Sequence, residues 1–320
     1  MIIPITSDYT FHDKFNHFLA RTGLRRDRFR VQPGLYTLGN PSKNSKVFVS
    51  ANYGLSFDTL RAALSGIDCY ILVLDTKGIN VWCAAGKGTF GTEELVARIN
   101  DVNLKQHVDH HLLILPQLGA PGVAAHEVTK QTGFRIEYGP VRARDIPEYL
   151  RSHKATPEMR RVHFNLLDRL ILIPVEITHL ILPAFILMTL LHLMSGPLAA
   201  LAVLAIVVAN LIIFPILLPW IPTPNFSTKG FLLGTIIAIP FFLLALTDNP
   251  LAEWWKRLGW ALPYLLILPS LVAFIALTTT GVTTYTSTSG VKREISAYFP
   301  AMFWMFCGGV LLGVIFRFVR

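Results

Sequence analysis

Charge is scarce in this sequence, and the scarcity is local. Asp, Glu, Lys and Arg make up 15% of the 320 residues and hydrophobic residues 52%, whereas a soluble domain usually carries about 25% charged side chains. Residues 1–165 hold 21 basic and 15 acidic side chains, while residues 166–320 hold only 8 and 5. The first stretch has the charge content of a soluble domain and the second that of a membrane protein. A wholly cytosolic enzyme is excluded.

Cysteine is scarcer still. Cys69, Cys83 and Cys307 lie far apart and form no Cys-x-x-Cys pair, so a four-cysteine iron–sulfur cluster or structural zinc site cannot be built from this chain alone. An odd number also argues against a disulfide framework. The stretch from Met1 to Tyr9 includes Asp8 and lacks a continuous apolar core, so no secretory signal is expected there. The first 165 residues are expected in a reducing cytoplasm.

What is present is alternation. After a basic start (Arg21, Arg25, Arg26, Arg28 and Arg30), read as an exposed arm or helix end, short apolar runs at Val47–Ser50, Tyr70–Asp75, Ile79–Trp82, Leu112–Leu115 and Phe134–Tyr138 read as strands. Helical spacing of apolar residues falls at Phe57–Leu64, Thr92–Ile99 and Val123–Thr132. This pattern predicts an α/β sheet covered by helices, with ligands held at the carboxyl ends of the strands. Beyond Asn165 the apolar stretches Leu170–Leu193, Leu198–Leu218, Phe231–Leu246, Ala261–Leu277 and Pro300–Phe318 are close to the roughly 20 residues a bilayer core requires. The third is short, and the first contains Glu176 and His179. The domains expected are thus 1–165, α/β, and 166–320, an all-α transmembrane domain of about five helices.

The most informative segment is Asn80-Val81-Trp82-Cys83-Ala84-Ala85-Gly86-Lys87-Gly88-Thr89-Phe90-Gly91. Gly86, Gly88 and Gly91 match the dinucleotide fingerprint G-x-G-x-x-G, which requires a strand before it, a helix after it and an acidic residue ending the next strand. The third condition fails, because Leu112–Leu115 is followed by Pro116-Gln117. A second reading gives Cys83 a chemical role. At a strand-to-helix turn, backbone N–H groups and the helix dipole favour a thiolate, and Lys87 one turn on adds positive charge; such a thiolate serves as nucleophile or as ligand to a soft metal. The bland reading is a buried structural cysteine.

Here the sequence resembles known families. Tyr70 to Gly91, with Leu74-Asp75-Thr76, Gly78-Ile79-Asn80-Val81 and Ala84-Ala85-Gly86-Lys87, is similar to the corrinoid-binding domain of the corrinoid iron–sulfur proteins of the acetyl-CoA pathway. Asn80 to Gly88 looks like the cap-helix signature of the membrane-bound mercury-methylating corrinoid proteins, which join such a domain to a C-terminal membrane domain. Leu115-Pro116-Gln117-Leu118-Gly119-Ala120-Pro121-Gly122 and Tyr285-Thr286-Ser287-Thr288-Ser289-Gly290-Val291-Lys292 agree with that family. The resemblance implies a Rossmann-like corrinoid-binding domain, a cobalamin or related corrinoid as cofactor, and Cys83 as the lower axial ligand of cobalt in place of the corrinoid's own base. The thiolate would enrich cobalt and its methyl group in electrons; the protein tunes the axial ligand while the cofactor carries the chemistry. The implied reaction takes methyl onto Co(I) from a methyl-folate-type donor methyltransferase and passes it to Hg(II), giving methylmercury. The cluster domain of the iron–sulfur relatives is missing from this sequence, so no iron–sulfur cluster is expected in the chain. A separate small ferredoxin-like protein is expected as electron donor, docking on Arg142, Arg144 and the Arg21–Arg30 group.

A second tier of candidate cofactor-binding residues, Gly54, Ser56, Thr76, Thr89, Gly119 and Gly139, occupies expected turns at strand ends, where small residues let backbone approach a ligand. His107, His110, His111 and Asp109 look like a metal cluster in composition but read better as a solvated loop, and His126 as a surface histidine. The N-terminal arginines suit membrane lipid headgroups as well as an acidic partner. Nucleic acid is not expected, for want of aromatic interleaving or a reading helix. The expected location is the inner (cytoplasmic) membrane, multi-pass, with the N-terminal domain in the cytoplasm. Two alternatives stay open: a corrinoid methyltransferase with another acceptor, and a non-catalytic membrane-anchored nucleotide or cofactor sensor.

Overall fold

A computed structural model of the chain describes residues 2–24, 28–279 and 288–319. Arg25, Arg26 and the Tyr285–Ser287 part of the second motif lie outside the described residues. The chain divides into two units, Met1–His163 and Phe164–Arg320.

The first unit is built on a six-stranded mixed sheet, β1 (Ile2–Ile5), β2 (Gly34–Leu38), β3 (Val47–Ala51), β4 (Cys69–Leu74), β5 (Leu112–Leu115) and β6 (Arg135–Tyr138), in the order β1-β2-β4-β3-β5-β6. Strands β4, β3, β5 and β6 run parallel. The inner three, β4, β3 and β5, are largely apolar on both faces because helices cover both: α2 (Gly54–Ala63) and α6 (Ile146–Ser152) pack Phe57, Leu60, Ile146 and Tyr149 on one face. On the other, α3 (Val81–Lys87), α4 (Thr92–Asp101) and α5 (Ala125–Thr132) pack Ala84, Leu95, Ile99 and Val128. Taken in chain order, these four strands lie second-first-third-fourth, so the winding reverses between β3 and β5, the kind of crevice in which doubly wound sheets bind ligands.

Two features depart from the expectation. Strand β2 pairs antiparallel with β4 and carries β1 at its outer edge, so the sheet is mixed. Ile79–Trp82 is not a strand. Thr76 to Asn80 form a turn, with Lys77 and Gly78 at φ 57° and 73°, and α3 begins at Val81. Alternating Ile79 and Val81 imitate a strand over too few residues to tell the two apart, while Asn80 is a helix cap. Before β2 lies α1 (Phe11–Arg21), opened by a reciprocal Thr10–Asp13 capping box.

The second unit is helical. After α7 (Leu166–Leu170) come α8 (Ile173–Ser195), α9 (Pro197–Val208), a π-helical turn at Ala209–Ile213, α10 (Phe214–Leu217), α11 (Phe226–Thr247), α12 (Trp254–Thr278) and α13 (Thr288–Phe318). Among the described residues five stretches are long and apolar enough to cross a membrane: Leu166–Ser195, Pro197–Leu217, Phe226–Thr247, Trp254–Thr278 and Ser289–Phe318. The third is not short, since its first turn hides among Ser227, Thr228 and Lys229. Gly230 and Gly234, four apart on α11, let α12 close in: a Cβ at either would lie 2.7 Å from the Cα of Ala273 or Pro269. Buried Glu294 of α13 accepts hydrogen bonds from the amides of Phe226 and Ser227 (3.2 and 3.0 Å) and from the Ser227 hydroxyl (2.9 Å). That carboxylate caps the amino end of α11, where an anion is favoured.

Candidate functional site

The site begins with a buried asparagine at the end of β3. Asn52 is 4% exposed, and its Oδ1 accepts three hydrogen bonds, from the Thr76 amide (3.0 Å), the Thr76 hydroxyl (2.9 Å) and the Gly78 amide (2.9 Å). Its Nδ2 donates to Asp75 Oδ1 (3.1 Å). The hydroxyl of Thr76, which is fully buried, shares its single hydrogen between Asn52 Oδ1 and the nearer carbonyl of Ile79 (2.7 Å). The turn between β4 and α3 is thus fixed from the neighbouring strand. Nothing local in the sequence signals Asn52, because its partners are more than twenty residues away.

That turn delivers Asn80 as the cap of α3, its side chain accepting from the Cys83 amide at 2.9 Å. Helix periodicity then sorts the signature into two faces. Val81, Ala84 and Ala85 are buried, and the two alanines let the helix sit close to the sheet. Trp82 (39% exposed), Gly86 and Lys87 face outward beside half-buried Cys83. A Cβ at Gly86 would meet nothing within 4 Å, so this face is open. Gly88, at φ 80°, ends the helix in the left-handed conformation, and Gly91 starts α4. The glycines therefore lie inside, at the end of and beyond a helix, rather than between strand and helix, and the dinucleotide geometry is not formed.

Beside α3, at the β3/β5 reversal, lies a cavity of about 370 Å³. Its walls are largely apolar, from Phe48, Leu60, Ile114, Leu118, Val141 and Ile146, with Asn80, Val81 and Trp82 at one side. Of the second-tier residues, Ser56 and Gly139 line it. The others are placed elsewhere. Gly54 starts α2 against the ring of Phe29, Gly119 packs on the ring of Phe90, and Thr89 leans on the Ala84 carbonyl (3.5 Å). Thr76 holds the turn.

The remaining candidates have ordinary partners. His110 Nε2 lies 2.8 Å from the Ser45 carbonyl, and the ring of His111 packs on Phe134. Cys69 is buried in β4, and burial, aided by neighbouring Asp68, pushes its thiol pKa up to about 12. Among the described residues no group of three or more His, Cys, Asp or Glu converges as a metal site.

Comparison with known proteins bears on the first unit. Residues 24–150 match the family model of the CO dehydrogenase/acetyl-CoA synthase delta subunit. The gamma subunit of the acetyl-CoA decarbonylase/synthase complex is 32% identical over 127 residues in Methanopyrus kandleri, covering 39% of this chain and 27% of that protein. Its counterpart in Methanothermobacter thermautotrophicus is 33% identical over 135 residues, 41% of this chain and 29% of that one. The corrinoid/iron-sulfur protein large subunit of Moorella thermoacetica is 30% identical over 129 residues, 40% and 28%. The matched region spans under a third of these relatives, and the apolar helices lie outside the segment matched by the family model. The first unit is thus similar to a part of subunits named for the acetyl-CoA decarbonylase/synthase complex and for a corrinoid/iron-sulfur protein. These names do not mention mercury.

Proposed function

We propose that this chain is a membrane-anchored corrinoid methyltransferase in which Cys83 is the lower ligand of cobalt. One observation carries the reading: a helix capped by Asn80 holds a half-buried thiol at Cys83, and its first residues, Asn80, Val81 and Trp82, line an apolar cavity at the sheet's reversal point. Those residues fit a corrinoid. A thiol is a soft donor, and the cavity is of a size that takes one side arm of such a cofactor. When bound, the corrinoid would supply a cobalt centre able to accept and release a methyl group.

The chain's own residues hold and present that centre. Asn80 and Asn52 fix the turn from which Cys83 projects. Ser56, Gly139 and Trp82 line the cavity. The acceptor proposed is Hg(II), on the likeness of Asn80 to Gly88 to the mercury-methylating cap helix. The donor proposed is a methyl-folate-type methyltransferase, and the reductant a small ferredoxin-like iron–sulfur protein. The location proposed is the cytoplasmic membrane, with the first unit in the cytoplasm, supported by five apolar helices.

The test is the visible spectrum of the purified full chain reconstituted with cobalamin. Wild type should differ from Cys83→Ala, which keeps the cofactor but lacks the sulfur ligand. Identical spectra remove the thiolate from the mechanism. Assaying Hg(II), simple thiols and other soft metals as methyl acceptors then separates mercury from other acceptors.

A further inference from the structure

Among the described residues of the first unit, exposed large apolar side chains fall in two places, Trp82 and the Tyr9–Leu24 segment. The second is unusual in kind. Phe11, Phe15 and Phe18, spaced four and three apart and so on one face of α1, are 85%, 50% and 61% exposed, and Leu24 follows at 63%. The opposite face of α1 is polar and points into the protein. Asp13 Oδ2 lies 2.8 Å from Arg61 Nη2, and His17 Nε2 lies 2.7 Å from Asp58 Oδ2. Arg61 also pairs with Asp58 (2.7 Å) and donates to the carbonyls of Thr6 and Asp8. On an ordinary surface helix the apolar stripe faces the core. Here it is turned outward while a buried ionic cluster holds the other side.

We infer that α1 is an interfacial helix that lays Phe11, Phe15 and Phe18 into the surface of an anionic bilayer. The charges favour lipid over a second copy of the chain. Lys14 and Arg21 flank the aromatic stripe and Arg28 follows it, all exposed. A basic, phenylalanine-bearing helix is the pattern that binds anionic headgroups and buries its rings at the acyl boundary. Two copies meeting through this face would bring like charges together. Among the described residues the same chain has five helices long and apolar enough to span a membrane, and the proposed membrane location would bring a bilayer within reach. The inference does not depend on a corrinoid or on Cys83.

Photo-crosslinking of the full chain tests it. Benzoylphenylalanine replaces Phe15 or, separately, Phe18, both conservative exchanges, with His126, whose side chain is 81% exposed, as control. The protein is placed in nanodiscs of phosphatidylcholine, alone or mixed with phosphatidylglycerol, irradiated and weighed by mass spectrometry. The expected result is phospholipid adducts at positions 15 and 18, more abundant with phosphatidylglycerol, and none at 126. Lys14→Gln with Arg21→Gln should lower the yield. Protein–protein adducts, no adducts, or equal lipid adducts at 126 would each overturn the inference. Equal yields in the two bilayers would overturn its electrostatic part.

Discussion

The two units use the same apolar residue types and treat them oppositely. In the first, Leu35, Leu72, Leu74 and Leu113 are wholly buried between helices and sheet. In the second, Leu182, Phe185 and Leu193 are 64%, 66% and 75% exposed on helices. Water would penalise that surface at about 25 cal/mol per Å², whereas lipid does not. In a bilayer, where that hydrophobic drive is gone, the second unit's helices would be joined by close packing at Gly230 and Gly234 and by the Glu294 cap. Polar side chains act in a similar way in the first unit, where Asn52 and Arg61 each tie together segments far apart in sequence. Face-to-face apolar contact therefore assembles the first unit, and small residues with buried polar groups fix its details. In the second unit those details are most of the glue.

The sharpest way to break this contrast is Asn52→Leu. It removes an acceptor shared by three donors. The Thr76 amide and hydroxyl keep the carbonyls of Leu74 and Ile79 (3.1 and 2.7 Å), while the Gly78 amide loses its acceptor, and a buried donor left unpaired costs about 1–3 kcal/mol. The first unit should lose about 1–3 kcal/mol, and hydrogen exchange at the Cys83 amide should rise, because the turn that positions α3 is released. Asn52→Asp keeps the acceptor oxygen but sets a carboxylate beside Asp75, so it should fall between Leu and wild type. Unchanged exchange in Asn52→Leu would show that α3 holds its place without the turn.

In the second unit the matching change is Gly230→Leu. Its side chain would enter space where a Cβ already lies 2.7 Å from Ala273 Cα. Overpacking of this kind costs about 1–3 kcal/mol. Thermal unfolding of the full chain should show the transition of the helical unit lowered and that of the first unit unmoved. A shift in both would mean that the two units unfold together.

How much of this was legible is clear from the elements themselves. Leu112–Leu115 stands where its apolar run placed it, and the five spans follow from length and composition. Cys83 and Asn80 drew notice through their motif, and the structure puts them on one short helix. What escaped depends on distant partners. Strand β2 is a strand because it pairs antiparallel with β4, and α1 faces outward because Arg61, forty-eight residues from Asp13, grips its polar side. Lys77 takes a positive φ with no glycine to announce it. Asn52 looks like any turn residue until its hydrogen bonds are known.

A smaller effect separates the cysteines by pH. Burial, with Asp68 adding, raises the Cys69 pKa from 9.0 to about 12. A thiol raised in the folded state favours folding fully below its unfolded pKa, and that contribution fades as pH rises through the folded one. Stability of the first unit should therefore decline between about pH 9 and 12, and Cys69→Val should flatten the decline. At neutral pH a thiol reagent should label half-buried Cys83 while buried Cys69 stays unmodified. Equal labelling would mean that β4 opens as readily as α3.

The smallest change tests the open face of α3 itself. Gly86 sits within a helix, where glycine is less stable than alanine by roughly 0.5–1 kcal/mol, and a Cβ there meets no protein atom within 4 Å. Without cofactor, Gly86→Ala should raise the unfolding midpoint slightly. If a corrinoid lies against this face beside Cys83, the added methyl stands in its way, so the same variant should bind cobalamin more weakly and show less of the thiolate-ligated spectrum. The two signs oppose each other, which makes the pair of measurements decisive. A variant both more stable and equally able to bind would move the cofactor away from Gly86 and toward the cavity lined by Asn80, Val81 and Trp82. A less stable one would show that the face is already occupied by the protein.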